Sequence, residues 1–405
     1  MLFTRFFALR LFLNPSQSIS RLVVGLAIAS IALGVAVMEI SIGVVNGFES
    51  AIQEKIIGFG SHLKVYPIGE EEQDSVSPIQ LSQDLLNPLW EVSRVKGVYP
   101  VMNTYALLQS PTGLDGISLK GVADTGSFTF FKPLIIEGNS PDLSPKEGPC
   151  PILISKKQSL RLSLKVGDKA KLYFLTDPPK IRPIIISGIY ESGLGEFDAV
   201  QVLAPIYLTR KLFHLSDEEC SALEIRLNNM EDLPKITDQI RTQLPYYLEV
   251  NSIEDLYPEM FAWLQLQHQN VDFILLLMVA IAIINMCSVL LILILERTRT
   301  IGLLKALGAN SFQLLNIFLW QGGFMIGTGL ALGNILGLGL LMIQNYTGWM
   351  KLDQENYFLT EVPVAWPWET FGWINLSLLV ICLLFLLIPA RLIFNIKIVT
   401  ALRFD

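Results

Sequence analysis

The sequence predicts an α-helical membrane protein with four transmembrane helices and a large extracytoplasmic α+β domain on helical stalks. Three observations predict it. Of the 405 residues, 51% are hydrophobic and only 17% are charged, where soluble domains carry about a quarter charged residues. The apolar surplus is concentrated in four runs, Leu22–Val45, Phe273–Leu295, Leu314–Ile343 and Phe371–Ile388, each near the roughly 20 residues that a helix needs to cross a bilayer. Charge is distributed unevenly around these runs. Residues 1–21, 296–312 and 389–405 hold nine Lys or Arg against two acids, out of 30 basic and 37 acidic residues in the chain.

Loops that collect Lys and Arg stay in the cytoplasm. Both termini and the 296–313 loop are therefore expected inside, and the acidic remainder, mostly within 47–270, outside. The net charge of −7 then describes an extracytoplasmic domain and does not point to nucleic acid.

The elements follow in order. Residues 1–21 include the aromatic and basic stretch 4–13, too short to span and stopped by Pro15, and they read as an interfacial helix on the cytoplasmic side. Residues 22–46 form the first span. The run is longer than a signal-peptide core, and Asn46-Gly47-Phe48-Glu49 is not a small-x-small cleavage site, so an uncleaved span is expected. Val45, Phe48, Ile52 and Ile56 keep helical spacing beyond it until Gly58-Phe59-Gly60-Ser61 ends the helix.

Within the outer domain, His62–Pro67, Gly97–Gln109, Ile117–Val122, Ala170–Phe174, Pro183–Tyr190 and Ala222–Leu227 read as strands, rich in β-branched residues and bounded by Gly or Pro. Leu81–Val95, Ser155–Leu162 and Asp232–Leu244 read as helices. One elaborate domain or two lobes fit this length, with Ile136–Pro151 as the expected internal boundary. Cys150 and Cys220 both fall in this region, and pairing between them stays open; Cys287 and Cys382 sit in apolar runs. From Ile253 an amphipathic stretch runs into the second span, 271–295, as a second stalk.

The loop 296–313 is basic and amphipathic, with Ile301, Leu304 and Leu307 spaced as one apolar ridge on a segment too small to have its own core. The third span, 314–343, carries Gly329, Gly333 and Gly337, which permit close helix approach within the chain or with another subunit. The extracytoplasmic loop 344–370 is flanked by Trp349, Trp366, Trp368 and Trp373, an interfacial aromatic belt. The fourth span is 371–390, and 391–405 is a cytoplasmic tail.

Catalytic motifs are missing from the sequence. It has no Gly-x-x-x-x-Gly-Lys-Ser/Thr phosphate loop, no Gly-x-Ser-x-Gly elbow and no His-Glu-x-x-His pair. His62, His214 and His268 lack metal-ligand spacing. The chain is expected to be a non-catalytic subunit that binds neither metal nor cofactor. Glu39 is unusual, an acid inside the first apolar run, which should face a bundle interior or water. It either lines a lateral gate or substrate path, together with Val45 and Phe48, or serves as a hydrogen-bonded packing residue.

Four spans, a large outer domain after the first, and Glu296–Ala309 between the second and third resemble ABC transporter permeases of the FtsX/MacB superfamily. Asn46-Gly47-Phe48-Glu49, Lys55-Ile56, Gly58-Phe59-Gly60-Ser61-His62-Leu63 and the terminal Ala401-Leu402-Arg403 resemble the lipoprotein-releasing permeases, the LolC/LolE type, in particular. The resemblance implies a multi-pass protein of the bacterial inner membrane. It implies that Glu296, Arg297, Arg299, Ile301, Gly302, Leu303, Leu304, Lys305, Ala306, Leu307 and Gly308 form a coupling helix on a separate cytoplasmic ABC ATPase dimer. ATP and Mg would be bound by that partner, with Ile301, Leu304 and Leu307 seated in it and Arg299 and Lys305 at the rim.

It further implies a second permease copy or paralogue, a lipoprotein substrate taken from the membrane lipid, and a periplasmic carrier. The hairpin hook by which one subtype catches its carrier is short here, Phe174–Arg182. Thr300 stands where many relatives carry an acid, and Ile398 where a proline is common. Two other classes stay open: a MacB-like peptide or drug exporter, and an FtsX-like regulator of a cell-wall hydrolase.

Overall fold

The computed structural model describes residues 18–69, 77–123, 128–144 and 148–395. The interfacial stretch 4–13 and the ending Ala401-Leu402-Arg403 lie outside these residues. By its contacts the chain divides into two units. One comprises Met1–Ser50, Trp263–Lys351 and Glu361–Asp405; the other comprises Ala51–Ala262 and Leu352–Thr360.

The first unit is helical. Its principal elements are α1 (Ser18–Gly60), α2 (Pro258–Glu296), α3 (Thr298–Ala306), α4 (Ser311–Thr347) and α5 (Trp368–Phe385). The unit division falls within α1 and α2. Among the described residues, four helices are long and apolar enough to cross a membrane. Asn310 starts α4 with a capping box, accepting from Phe312 N–H while Gln313 accepts from Asn310 N–H, and Gly348 ends it in the left-handed conformation that glycine adopts without penalty. Ile31, Val35 and Met38 of α1, Met286, Leu290 and Ile294 of α2, Ile317 and Met325 of α4, and Leu378 and Cys382 of α5 share one buried core.

The glycine series of α4 belongs to an internal seam. A Cβ on Gly329 would stand 2.7 Å from Ile31 Cγ2, and one on Gly333 would stand 2.6 Å from Val35 Cβ. Only glycine lets the α4 backbone lie this close to α1. The series packs within the chain.

The second unit is α+β. Its strands are β1 (Leu63–Pro67), β2 (Ile79–Gln80), β3 (Val95–Gln109), β4 (Leu114–Val122), β5 (Ile135–Gly138), β6 (Cys150–Ser155), β7 (Lys169–Phe174), β8 (Lys180–Tyr190), β9 (Gln201–Pro205), β10 (Glu219–Cys220), β11 (Ala222–Leu227) and β12 (Leu248–Ser252). Among the described residues ten of them form one sheet, ordered β12-β1-β11-β3-β4-β9-β6-β8-β5, with β7 pairing both β3 and β8. The ring β3-β4-β9-β6-β8-β7 thereby closes on itself. Its filling includes Leu108, Leu119, Ile152, Leu172, Ile186 and Val202, all fully or almost fully buried.

Several expectations change here. The expected boundary at Ile136–Pro151 is not one, because β5 on its one side and β6 on the other both pair with β8. The helix expected at Leu81–Val95 is shorter, Gln83–Glu91, capped by Ser82 accepting from Leu85 N–H; Val95 already belongs to β3. The second stalk does not run unbroken from Ile253. A single turn, Ile253–Leu256, stops at Tyr257, and α2 starts afresh at Pro258, a position where proline's missing N–H costs nothing. Cys150 and Cys220 are buried and both free; the Cys150 thiol donates to Tyr207 Oη at 3.3 Å.

Candidate functional site

The segment between α2 and α4 forms a short helix, α3, closed by Gly308 at positive φ. Its expected ridge is rearranged. Ile301 is 1% exposed and sits in the chain's own core, Leu304 packs partly against that core, and Gly302 is buried. The apolar side chains left open are Leu303, at 52% exposure, and Leu307, at 76%. Arg299 is exposed beside them and Ala306 completes the stripe, while Glu296 and Arg297 are half-buried.

Lys305 is not free at a rim, since its Nζ donates to Ile393 O at 2.7 Å. Positions 301 and 304 and positions 303 and 307 are both helical repeats. Packing against the first unit's core took the former pair and left Leu303 and Leu307 to face outward. Phe312, 64% exposed at the start of α4, extends the same apolar character and stacks edge-on to Phe394 at 5.3 Å.

Glu39 is fully buried. Asn375 Nδ2 donates to its Oε1 at 3.4 Å and exchanges hydrogen bonds of 2.8 and 3.0 Å with Asn334, so the carboxyl is tied to α5 and through it to α4. Its Oε2 has no hydrogen-bond partner and faces Gly337, whose absent side chain leaves the room. In this arrangement Glu39 is an enclosed, hydrogen-bonded packing residue. Val45 packs on a smaller apolar cluster around Ile42 and Leu341. Phe48 meets Trp263 edge-on at 5.5 Å, and Glu49 pairs with His268. These contacts clasp α1 to α2 in the first unit.

A further set of contacts within the second unit was read from the sequence only as a helix stop. The last turns of α1 are held there by charge and by aromatic packing. Lys55 Nζ donates to Ser192 O at 2.5 Å and Phe358 O at 2.7 Å. Phe59 is enclosed by Phe131, Phe197 and Phe130 at centroid distances of 5.1, 4.6 and 5.7 Å, and a Cβ on Gly58 would collide with the Phe130 ring.

Lys120 of β4 donates to Phe59 O at 2.5 Å and pairs with Glu224 of β11 at 2.5 Å, while Ser61 Oγ donates to the other carboxylate oxygen at 3.1 Å. Both side chains of the ion pair are 6% exposed. Next to them Asp198 accepts from Ser192 and Gly193; burial pushes its carboxyl above the usual range and these hydrogen bonds hold it back.

The two stalk connections leave from neighbouring strands. α1 leads into β1, and β12 leads out to the Ile253 turn; the strands pair antiparallel from Leu63↔Ser252 to Pro67↔Leu248. Ile253 N–H also donates to His62 O at 2.9 Å. Among the described residues, no group of three or more His, Cys, Asp or Glu side chains is placed to hold a metal ion.

An α+β domain inserted after the first of four apolar helices, with a basic, apolar turn between the second and third, defines a permease-type membrane subunit with no catalytic constellation of its own. Residues 24–243 match the model of the MacB-like periplasmic core domain, and residues 273–398 match the FtsX-like permease C-terminal region. The chain belongs to this family: it is an ABC transporter permease of the FtsX/MacB type.

Similar proteins include the lipoprotein-releasing system transmembrane protein LolC of Xylella fastidiosa, 24% identical over 94% of this chain and 93% of that one. The lipoprotein-releasing system transmembrane protein LolE of Haemophilus influenzae is 22% identical over 91% of each. Among solved structures, the periplasmic region of MacB from Actinobacillus actinomycetemcomitans aligns with 51% of this chain and 95% of its own, at 11% identity and a TM-score of 0.33.

Proposed function

We propose that the chain is a permease subunit of an ATP-driven complex that releases lipoproteins from the inner membrane. The observation that carries this reading is the full-length match to relatives named as lipoprotein-releasing, over more than nine-tenths of both chains for LolC of Xylella fastidiosa. The four apolar helices cross the inner membrane with both termini inside, as the Lys and Arg asymmetry requires. A separate cytoplasmic ATPase dimer docks on α3, a second permease copy or paralogue completes the pair, and a carrier outside receives the lipoprotein. This chain contributes no catalytic residue and no cofactor; ATP and Mg belong to the ATPase.

The mechanism follows from the helices. ATPase closure displaces the turn at Leu303 and Leu307. Because α2 is helical from Glu296 to Pro258, and α1 from Ser18 to Gly60, movement is passed along rigid rods, not absorbed in a flexible linker. Lys120, Glu224 and the Phe59 cluster supply the grip at the far end of α1. The product of the cycle is displacement of the outer domain, and the work of lifting a lipid-anchored protein comes from the partner's ATP.

Depleting the protein is the test. Mature lipoproteins then accumulate in the inner membrane; normal lipoprotein sorting with an export or division defect instead overturns the substrate assignment. Docking is tested separately with Leu303→Glu/Leu307→Glu. Each leucine buried in an interface contributes about 1–2 kcal/mol, and a carboxylate in its place adds a desolvation cost, so the pair should lose co-purification with the ATPase by well over tenfold. Retained co-purification and ATPase stimulation would overturn α3 as the docking site.

A further inference from the structure

Strand β3 is longer than its neighbours on one side. Val95–Val101 pairs with β11 and Leu107–Gln109 pairs with β7. Across Met102–Ala106 the other side is fully paired with β4, but no strand stands between β11 and β7. The missing stretch is five residues, about 17 Å of strand.

The backbone orientation in the gap can be read from its first residue. Asn103 N–H points into it and is met by Ser221 Oγ at 2.9 Å. Side and backbone directions repeat every two residues in a strand, so Tyr105 turns its N–H and C=O the same way. No strand pairs with Tyr105 on that side.

The gap opens into a cavity of about 580 Å³ whose lining includes Asn103, Thr104, Tyr105, Thr176, Ser118 and Gln201. This is within the usual size range of a ligand site, and the lining is mainly hydroxyl and amide. It suits neither an acyl chain nor a free anion, since Lys120 at its floor is already paired with Glu224. What it offers is an unpaired strand edge of fixed length in a polar trough.

We infer that this gap is a docking site for an extended polypeptide segment, which adds as a strand antiparallel to β3 in line with β11 and β7. Antiparallel orientation continues the row, because both flanking strands run antiparallel to β3. Recognition is through the backbone at Tyr105, as in strand addition generally, so the segment must be free of proline there, and its sequence is otherwise loosely constrained. The inference stands whether or not lipoproteins are the cargo.

The experiment uses the full chain in lipid nanodiscs and a fluorescein-labelled octapeptide of alternating Thr and Val with a terminal Lys. Saturable anisotropy is expected with the plain peptide. The same peptide N-methylated at three consecutive central residues should bind at least tenfold more weakly, since it lacks donors on both edges.

Tyr105→Pro should abolish binding while Tyr105→Phe keeps it; proline at 105 removes an N–H that no β3 neighbour uses. Absence of binding by the plain peptide at about 1 mM, near a 4 kcal/mol interaction, overturns the inference. Equal binding of the methylated peptide, or undiminished binding to folded Tyr105→Pro, does so too. Should Tyr105→Pro fail to fold, the methylation comparison on the parent protein decides alone.

Discussion

Replacing Lys120 by Met should loosen the end of α1 from the sheet that holds it. The native Nζ touches two acceptors at 2.5 Å, Glu224 Oε1 and Phe59 O. Met preserves most of the stem volume but supplies neither the charge nor the donor. Glu224, 4% exposed, would keep only the Ser61 hydrogen bond at 3.1 Å, and the Phe59 carbonyl would lose its Lys120 donor. Breaking one half of a buried pair costs about 3–5 kcal/mol, a large share of the roughly 5–15 kcal/mol that holds a domain together. At about 2–4 °C per kcal/mol for a domain of this size, the second unit should melt roughly 6–20 °C lower.

The double variant Lys120→Met/Glu224→Leu removes the stranded charge and should recover most of that loss, because an apolar pair of similar volume is often equivalent to a buried ion pair. Temperature-dependent limited proteolysis of the purified full chain, followed at peptides from 51–262, reads both values. A single variant within about 2 °C of the parent, or a double variant no better than the single, would refute the account of the anchor.

Three further outcomes are expected. Gly333→Ala, whose Cβ would meet Val35 at 2.6 Å and Ala32 O at 2.8 Å, should cost about 1–3 kcal/mol by overpacking, whereas Gly339→Ala, with nothing within 4 Å, should be neutral or gain up to about 1 kcal/mol in helix propensity; detergent thermal shift compares them. Lys55→Met leaves two carbonyls, Ser192 O and Phe358 O, without this donor and should cost about 1–3 kcal/mol, seen as faster hydrogen exchange at 354–360.

His62 is depressed to about 4, first by burial and then by Arg226 and Lys96, and its neutral Nδ1 accepts from Leu227 N–H at 3.3 Å. The unfolded chain therefore takes the proton first. The neutral ring's stabilising contacts are fully present above pH 6.5 and lost as pH falls from 6.5 toward 4, by about 2 kcal/mol after allowance for screening. His62→Gln should flatten that slope, and an unchanged slope would show that another group controls it.

The outer-domain strands Ala170–Phe174, Pro183–Tyr190 and Ala222–Leu227 were legible because each is a short β-branched run with punctuation at its ends. β6 and β9 were not legible. Cys150–Ser155 and Gln201–Pro205 are buried on both sides, and a short apolar run carries no period to distinguish strand from helix. The break at Tyr257 was half visible, since Pro258 invites a helix start as readily as it tolerates a continuing one. Lys120 and Glu224 carried no signal at all. They lie 104 residues apart in sequence, and each alone looks like an ordinary surface charge.

By itself the sequence determined the four long apolar helices, the large polar insertion after the first, and the basic turn between the second and third. Those follow from composition and helical length, which a bilayer constrains residue by residue. Only the tertiary structure decided which side of that turn is open, Leu303 and Leu307 in place of Ile301 and Leu304. It alone showed the closed strand ring, the gap along β3 and the ion pair beneath Phe59. Each of these depends on segments distant in the chain meeting in space, and periodicity within one segment cannot report which of two equally spaced faces its neighbours will cover.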